Sequence, residues 1–264
     1  MSYYALGHRL PRSLASPLFG DRVRFGVIPD EDDPTWQEWN RRHIEFYNAN
    51  QRSSVGRIVN RAGHRIMADI DLTGKRVLEI GPGALDHIAF WNGMPAHFTC
   101  VDLDTSFMEL AVKRLQDNGV PHNTALVSRE HNGRIPVEPE SYDVVLAFYS
   151  LEHIHPLQPH LDEVANILKP GGIFAGAIPC EGGLAWGLGR YLTSRRWLKK
   201  HTTINPDKLI CWEHPNFGDD ILNKLAQSFV VDRIGVWPLK VPLIDCNLVA
   251  KFQCRRREPK QAGA

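Results

Sequence analysis

Apolar positions along this chain fall into two alternating periods. Short apolar runs bounded by turn-forming residues occur at Arg76–Ile80, His97–Asp102, Ala125–Arg129, Tyr142–Phe148 and Ile173–Ile178, and each predicts a strand of a parallel sheet buried on both faces. Between them, apolar residues recur at helical spacing. Phe107, Leu110 and Ala111 open a helix over Phe107–Asn118 that stops at Gly119-Val120-Pro121, with Asp104 or Thr105 as its cap. Leu157, Leu161, Val164, Ala165 and Leu168 line a second, closed by Pro170 and Gly171-Gly172. A later helix, capped by Asp219, turns Ile221, Leu222, Leu225, Ala226 and Phe229 inward, and Val230–Trp237 and Asn247–Cys254 then predict a closing antiparallel pair. Alternating strands and helices argue for a sheet covered by helices on both faces.

Outside this core the pattern changes. Met1–Asp33 mixes prolines, glycines and charges without a period, so it predicts irregular chain, disordered over about the first 20 residues, as is the tail after Cys254. Pro34 opens a helix with Trp36, Trp39, His43 and Tyr47 on one face and Phe46 beside them. Such an aromatic face packs on the sheet or closes a ligand cavity at its end. A second helix from Ser54 aligns Val55, Ile58, Val59, Ala62, Ile66 and Ile70 toward the sheet. Between Cys180 and Gly218 lies a connection longer than the fold requires, and long ordered connections tend to be functional. There Arg195, Arg196, Lys199 and Lys200 interleave with Tyr191, Leu192, Trp197 and Leu198. This reads as an amphipathic helix with a solvated basic face, or as a surface for an anionic acceptor or an anionic membrane. The expected division is an N-terminal cap over 1–70, a core over 71–254 with a lid insertion at 180–218, and a tail over 255–264.

The most informative stretch for chemistry is K-R-V-L-E-I-G-P-G-A-L at Lys75–Leu85. Gly81 and Gly83 flank a sharp turn after the first strand, where bare backbone can approach a ligand. A dinucleotide fingerprint would place a glycine at Asp86, so that class fails. Asp102 ends the second strand at the separation, about 20 residues, that suits a carboxylate accepting from both ribose hydroxyls. The chain has 264 residues with 31 Lys+Arg against 30 Asp+Glu, a formal charge of +1 that gives nucleic acid no global attraction. No apolar run is long enough to span a membrane and no signal-peptide core opens the chain, so a cytoplasmic protein is expected. Cys100, Cys180, Cys211, Cys246 and Cys254 are odd in number, widely spaced and without a metal-ligand pattern; they read as buried thiols, and no metal is expected.

Five blocks, V-L-E-I-G-P-G at Val77–Gly83, V-D-L-D-x-S-x-M-E-L-A at Val101–Ala111, I-P-V-E-P-E-S-Y-D-V-V at Ile135–Val145, S-L-E-H-I at Ser150–Ile154 and L-K-P-G-G-I-F at Leu168–Phe174, give a sequence that resembles the class I S-adenosylmethionine-dependent methyltransferases. The resemblance covers Lys75–Pro179 and implies an α/β fold: a three-layer, Rossmann-like doubly wound sheet of about seven strands, mostly parallel with an antiparallel last strand. It implies S-adenosyl-L-methionine as cofactor, held by Glu79, Gly81, Pro82, Gly83, Asp102, Leu103, Arg129, Glu130 and Phe148, with Glu130 or Asn132 toward the adenine, where the sequence departs from the family's usual acidic residue. Leu85 stands where many relatives have a third loop glycine. His153 and His155 are the candidate bases. The reaction so implied is in-line methyl transfer to a small molecule or carbohydrate, at a hydroxyl oxygen. Alternatives are a protein or RNA methyltransferase, or an inactive cofactor-binding relative; no nucleic-acid partner is expected, while peripheral membrane contact and a homodimer are open. Glu181, Glu213 and His214 are further polar candidates for the acceptor cavity.

Overall fold

The structure, a computed structural model, describes residues 2–52, 54–103, 105–127 and 134–257. Expectations for the Phe46, Tyr47, Val55, Asp104 and Phe107 side chains, for Arg129, Glu130 and Asn132, and for the end of the tail lie outside the described residues. In chain order the elements are α1 (Arg12–Phe19), α2 (Arg22–Phe25), α3 (Pro34–Arg52), α4 (Ser54–His64), β1 (Arg76–Ile80), β2 (His97–Asp102), α5 (Thr105–Asp117), β3 (His122–Leu126), β4 (Tyr142–Phe148), α6 (Leu157–Ile167), β5 (Leu168–Pro179), α7 (Leu184–Leu192), α8 (Ser194–His201), α9 (Pro206–Glu213), α10 (Gly218–Ser228), β6 (Phe229–Trp237) and β7 (Val249–Arg256).

The seven strands form one sheet in the order β3-β2-β1-β4-β5-β7-β6, parallel throughout except that β7 runs antiparallel to both β5 and β6. Strand order reverses between β1 and β4, and in such sheets the crevice beyond the strand ends at that point is where ligands bind. The strands are apolar on both faces because both are covered. Leu78, Ile80, Val145, Ala147, Phe174 and Ile178 pack with α6 and α10 through Leu161, Val164, Ile221 and Leu225. Val77, Val144, Leu146 and Ala175 point the other way, toward Val59, Ile66, Met67, Ala111 and Leu115. Each large side chain so buried contributes about 1.5–3 kcal/mol, which makes this double layer the main source of stability.

Several boundaries differ from the pattern-based reading. β3 begins at His122 instead of Ala125: it is the edge strand, and its polar residues remain partly exposed while its backbone pairs with β2, so hydropathy gives no signal there. Leu168 continues the α6 spacing but is extended and pairs with Tyr142, so the helix ends one residue earlier and β5 starts before the glycines. Ile58 faces away from the sheet at 56% exposure, while Val59, Ala62, Ile66 and Ile70 are buried as expected. Asp219 is not a cap; it lies inside the first turn of α10, where its Oδ2 accepts from the Ala5 amide at 2.8 Å.

The N-terminal segment is ordered into α1 and α2 rather than irregular, and it is tied down at both ends. Ala5 and Phe19 are buried, Asn223 accepts from the Tyr3 amide at 2.9 Å, and Asp21 caps α2 by accepting from the Arg24 amide at 3.1 Å. The connection after β5 folds into α7, α8 and α9, and α3 packs there instead of on the sheet: Trp36 and Trp39 share a cluster with Leu198, Ile204, Leu209 and Trp212. Arg195, expected on a solvated basic face, is buried and forked onto Asp207, because α8 turns that edge toward α9. Cys246 is exposed; the other four thiols are buried.

Candidate active site

The turn after β1 brings backbone to the reversal point. Gly81 has φ 67°, and a β-carbon built there would stand 3.0 Å from the Ser150 β-carbon, so only glycine lets the β1 turn and the segment after β4 come together. The Gly81 amide donates to the Val101 carbonyl at 2.8 Å, which fixes the turn against β2. Leu85 takes the left-handed conformation (φ 52°, ψ 39°) in which a glycine would be relaxed, and its side chain is buried at 1% exposure. The strain of about 1–2 kcal/mol is offset by that burial. Immediately after Leu85 the chain winds into a single 3-10 turn over Asp86–Phe90.

That turn sets His87 beneath the loop, against the side chain of Glu79. The Trp91 indole can only donate, and it donates to His87 Nδ1 at 2.9 Å; Nε2 therefore carries the proton and donates to both Glu79 oxygens, at 3.0 and 2.8 Å. Glu79 is fully buried. Its carboxylate supports the loop from below through His87. Phe148 stacks on His87 with ring centroids 4.9 Å apart, so it too supports the turn. Asp102 stands half-buried at the carboxyl end of β2, where its carbonyl accepts from the Val127 amide at 3.0 Å, and Leu103 beyond it is 51% exposed.

Beyond β4 the chain makes a 3-10 turn, Leu151–His153, in which polar groups converge from four parts of the sequence. The Glu213 carbonyl, which can only accept, lies 2.6 Å from His153 Nδ1, so that nitrogen is protonated; the Glu213 carboxylate is 3.4 Å from the same atom and Glu152 is 3.9 Å from Nε2. Burial would pull the imidazole pKa down, but the hydrogen bond to Glu213 and the charges of Glu152 and Glu213 outweigh it and lift it to about 9. The acidic neighbours thus favour the imidazolium, and Nδ1 is committed to the Glu213 carbonyl, which leaves Nε2, beside Glu152, as the other nitrogen of this expected base. His155 is exposed and adds no hydrogen bond to the cluster. Trp39 of α3 donates to Glu213 Oε1 at 2.5 Å.

The ring of His153 meets that of His214 edge to face at 4.7 Å. His214 Nδ1 donates to Glu181 Oε2 at 2.8 Å, and the same carboxylate accepts from both terminal nitrogens of Arg190, at 2.6 and 2.5 Å, and from Trp186 at 2.9 Å. Glu181 is fully buried. Burial alone would raise its carboxyl; the Arg190 charge and the His214 hydrogen bond overcome it and hold the group well below the usual carboxylate range. Arg22 of α2 donates to the His214 carbonyl at 2.6 Å and lies 4.0 Å over the Phe217 ring. Two buried oxygens of the β4–α6 turn, Ser150 Oγ and Glu152 Oε2, find no hydrogen-bond partner among the described residues. Burial pushes the Glu152 carboxyl up to about 7 against the pull of His153.

Residues 78–176 match the family described as a methyltransferase domain. The strands and turns that carry the candidate site, β1 through most of β5, thus lie within a stretch similar to a methyltransferase domain. The phthiotriol/phenolphthiotriol dimycocerosates methyltransferase of Mycobacterium leprae (strain TN) is 31% identical over 165 residues, 59% of this chain and 53% of that protein. The chain spans about half the length of the curated relatives it matches. Among solved structures, the carbon methyltransferase CurJ superposes with TM-score 0.55 at 15% identity over 96% of this chain and 69% of that one. The cyclase SpnF does so with TM-score 0.52 at 13% identity over 98% of each. These two show the fold, and a cyclase on the same fold means that the reaction has to be argued from side chains.

S-adenosylmethionine is the cofactor that a methyltransferase domain implies, and the residues fit it. The bare backbone of Gly81 lies at the reversal point, Asp102 ends the neighbouring strand, and the Ser150 and Glu152 oxygens are buried without a hydrogen-bond partner among the described residues. Sequence reasoning missed His87 and Arg22, and it placed Trp39 on an aromatic face without its bond to Glu213. His87 carries a legible signal, a histidine one helical turn before Trp91 and eight residues after a strand-end glutamate; Arg22 carries none.

Proposed function

We propose that this protein transfers the methyl group of S-adenosylmethionine to a hydroxyl oxygen of a small molecule. The observation that carries the reading is the meeting of the Gly81 turn with Ser150 at the head of the Glu152, His153, His214 and Glu181 cluster. A candidate cofactor turn and a set of hydrogen-bonded acids and bases thus meet at the carboxyl end of β4. When bound, the cofactor supplies an electrophilic methyl whose bond pair stays on sulfur, so the protein's part is to place the acceptor in line and to take its proton. Oxygen is favoured because a hydroxyl must lose a proton in the reaction, and this cluster is built around proton-holding groups.

The surroundings of the crevice indicate the acceptor class. Leu188, Tyr191, Leu192 and Trp197 are exposed on α7 and α8 beside Arg196, Lys199 and Lys200. Such a surface suits an amphiphilic acceptor met at an anionic membrane, and the dimycocerosate relatives are named for triols. This supports a lipid-like alcohol over a free sugar, with the α7–α9 insertion as the lid over it. The test has two parts. Calorimetry should show S-adenosylhomocysteine binding, and radiolabelled methyl should pass from S-adenosylmethionine into hydroxylated lipids in anionic vesicles in preference to soluble sugars. Absence of nucleoside binding would refute the assignment, and preferential labelling of sugars would refute the lipid reading.

A further inference from the structure

We propose that His214, oriented by the buried Glu181, is the group that takes the proton from the acceptor hydroxyl. The inference rests on the methyltransferase reading and names the residue that reading needs. His214 Nδ1 is committed as a donor to Glu181 at 2.8 Å, which leaves Nε2 as the nitrogen with the lone pair in the neutral ring. Nε2 has no hydrogen-bond partner among the described residues, and 21% of the side chain is open. A carboxylate that fixes one ring nitrogen and aims the other at the reacting proton is the arrangement by which an acid and a histidine form a base.

The groups around the ring keep it in the state a base requires. Burial lowers the His214 pKa, the cation of His153 at 4.7 Å between centroids and the more distant Arg190 lower it further, and Glu181 partly restores it. The ring is therefore neutral at pH 7. Glu213, adjacent in the chain on α9, faces His153 rather than His214, and Arg22 touches only the His214 carbonyl. Glu152, a further carboxyl of the cluster, is buried at 2% exposure, whereas the His214 side chain is 21% open. In the step itself the new carbon–oxygen bond forms as the methyl leaves sulfur with its bond pair behind. The hydroxyl proton passes to Nε2, the resulting imidazolium is stabilised by Glu181, and the proton is later lost to water.

The test is nitrogen-15 NMR of the histidines in the intact protein, with the His214 signals assigned by their loss in His214→Gln. The expected result is a ring bearing its proton on Nδ1 at pH 7 and titrating below the ordinary imidazole value. A proton on Nε2 at pH 7 overturns the proposal with no acceptor in hand. With a hydroxylated lipid as acceptor, His214→Gln should keep S-adenosylhomocysteine affinity within about twofold and lose about 10²- to 10⁴-fold in turnover, the worth of a positioned base; wild-type turnover overturns the proposal as well. If the wild-type protein shows the Nδ1–H ring yet binds no nucleoside, the failure is that of the methyltransferase reading and is recognisable as such.

Discussion

Replacing Glu181 by glutamine should be among the most destabilising conservative changes in this protein. The carboxylate is fully buried and takes both arms of Arg190, the Trp186 indole and His214. Glutamine retains one oxygen, but its amide nitrogen would face donors, and Arg190, with its side chain 12% exposed, would lose its counter-charge. Breaking one side of a buried ion pair costs about 3–5 kcal/mol. Because glutamine keeps one acceptor and Arg190 also donates to the Leu18 carbonyl at 3.1 Å, the lower end is expected, about 3 kcal/mol. For a domain of this size that is about 6–12 °C in Tm. Urea unfolding should show a lowered midpoint at unchanged slope. The pH dependence comes from the depressed carboxyl: its contribution is fully present above the unfolded carboxyl value and is lost as pH falls through the folded one, so the wild-type protein should lose stability on acidification more steeply than the variant. A variant within about 0.5 kcal/mol of wild type, the range of an ordinary surface change, would refute the reasoning.

Three further outcomes are expected. Asp102→Ala should weaken S-adenosylhomocysteine binding about 10- to 100-fold by calorimetry, the worth of hydrogen bonds to a charged group of about 1.5–3 kcal/mol; unchanged affinity would remove Asp102 from the site. His153 should titrate near 9 by proton NMR; because this value is raised, the stabilisation it gives is complete below the unfolded imidazole value and fades as pH rises toward 9, and an ordinary midpoint would contradict the Glu213 contact. Gly63→Ala would place a β-carbon 2.3 Å from the Tyr149 hydroxyl, which donates to the Val59 carbonyl at 2.9 Å. The expected cost is about 1–3 kcal/mol by thermal unfolding, and a neutral result would mean that α4 has room to move.

The parts of this structure legible in the sequence are those governed by local rules. Strands β1, β2, β4 and β5 declare themselves by apolar runs because both sheet faces are covered, and the Gly81 turn and Asp102 lie at spacings fixed by a strand–turn–strand unit. β3 is legible only in part, since an edge strand has no apolar requirement on its exposed side. The Glu79–His87 pair is hidden for a different reason. His87 sits in a turn whose 3-10 geometry depends on Leu85 adopting a left-handed conformation, which no propensity favours. The α2–α9 contacts are illegible altogether: Arg22 meets the His214 carbonyl across 192 positions of sequence, and only the folded chain brings them together.

That separation has a consequence for how the site holds its shape. His153 comes from the turn after β4, Glu181 from the end of β5, Glu213 and His214 from the end of α9, and Trp39 and Arg22 from N-terminal elements that precede the sheet. The hydrogen bonds binding these groups are also the bonds that fasten α2, α3, α7 and α9 to the core. Loss of the indole in Trp39→Phe would free Glu213 Oε1 and remove its 2.5 Å contact while keeping a ring in the Trp36, Leu198 and Trp212 cluster. Stability should then fall by only about 0.5–1.5 kcal/mol, the net worth of a hydrogen bond. The more informative change would be in His153, since a Glu213 carboxylate relieved of the indole is freer to pair with the imidazolium, and the His153 midpoint should move upward. A downward shift would mean that Trp39 holds Glu213 against His153, and that the N-terminal helix, rather than the β4–α6 turn, sets the charge of the crevice.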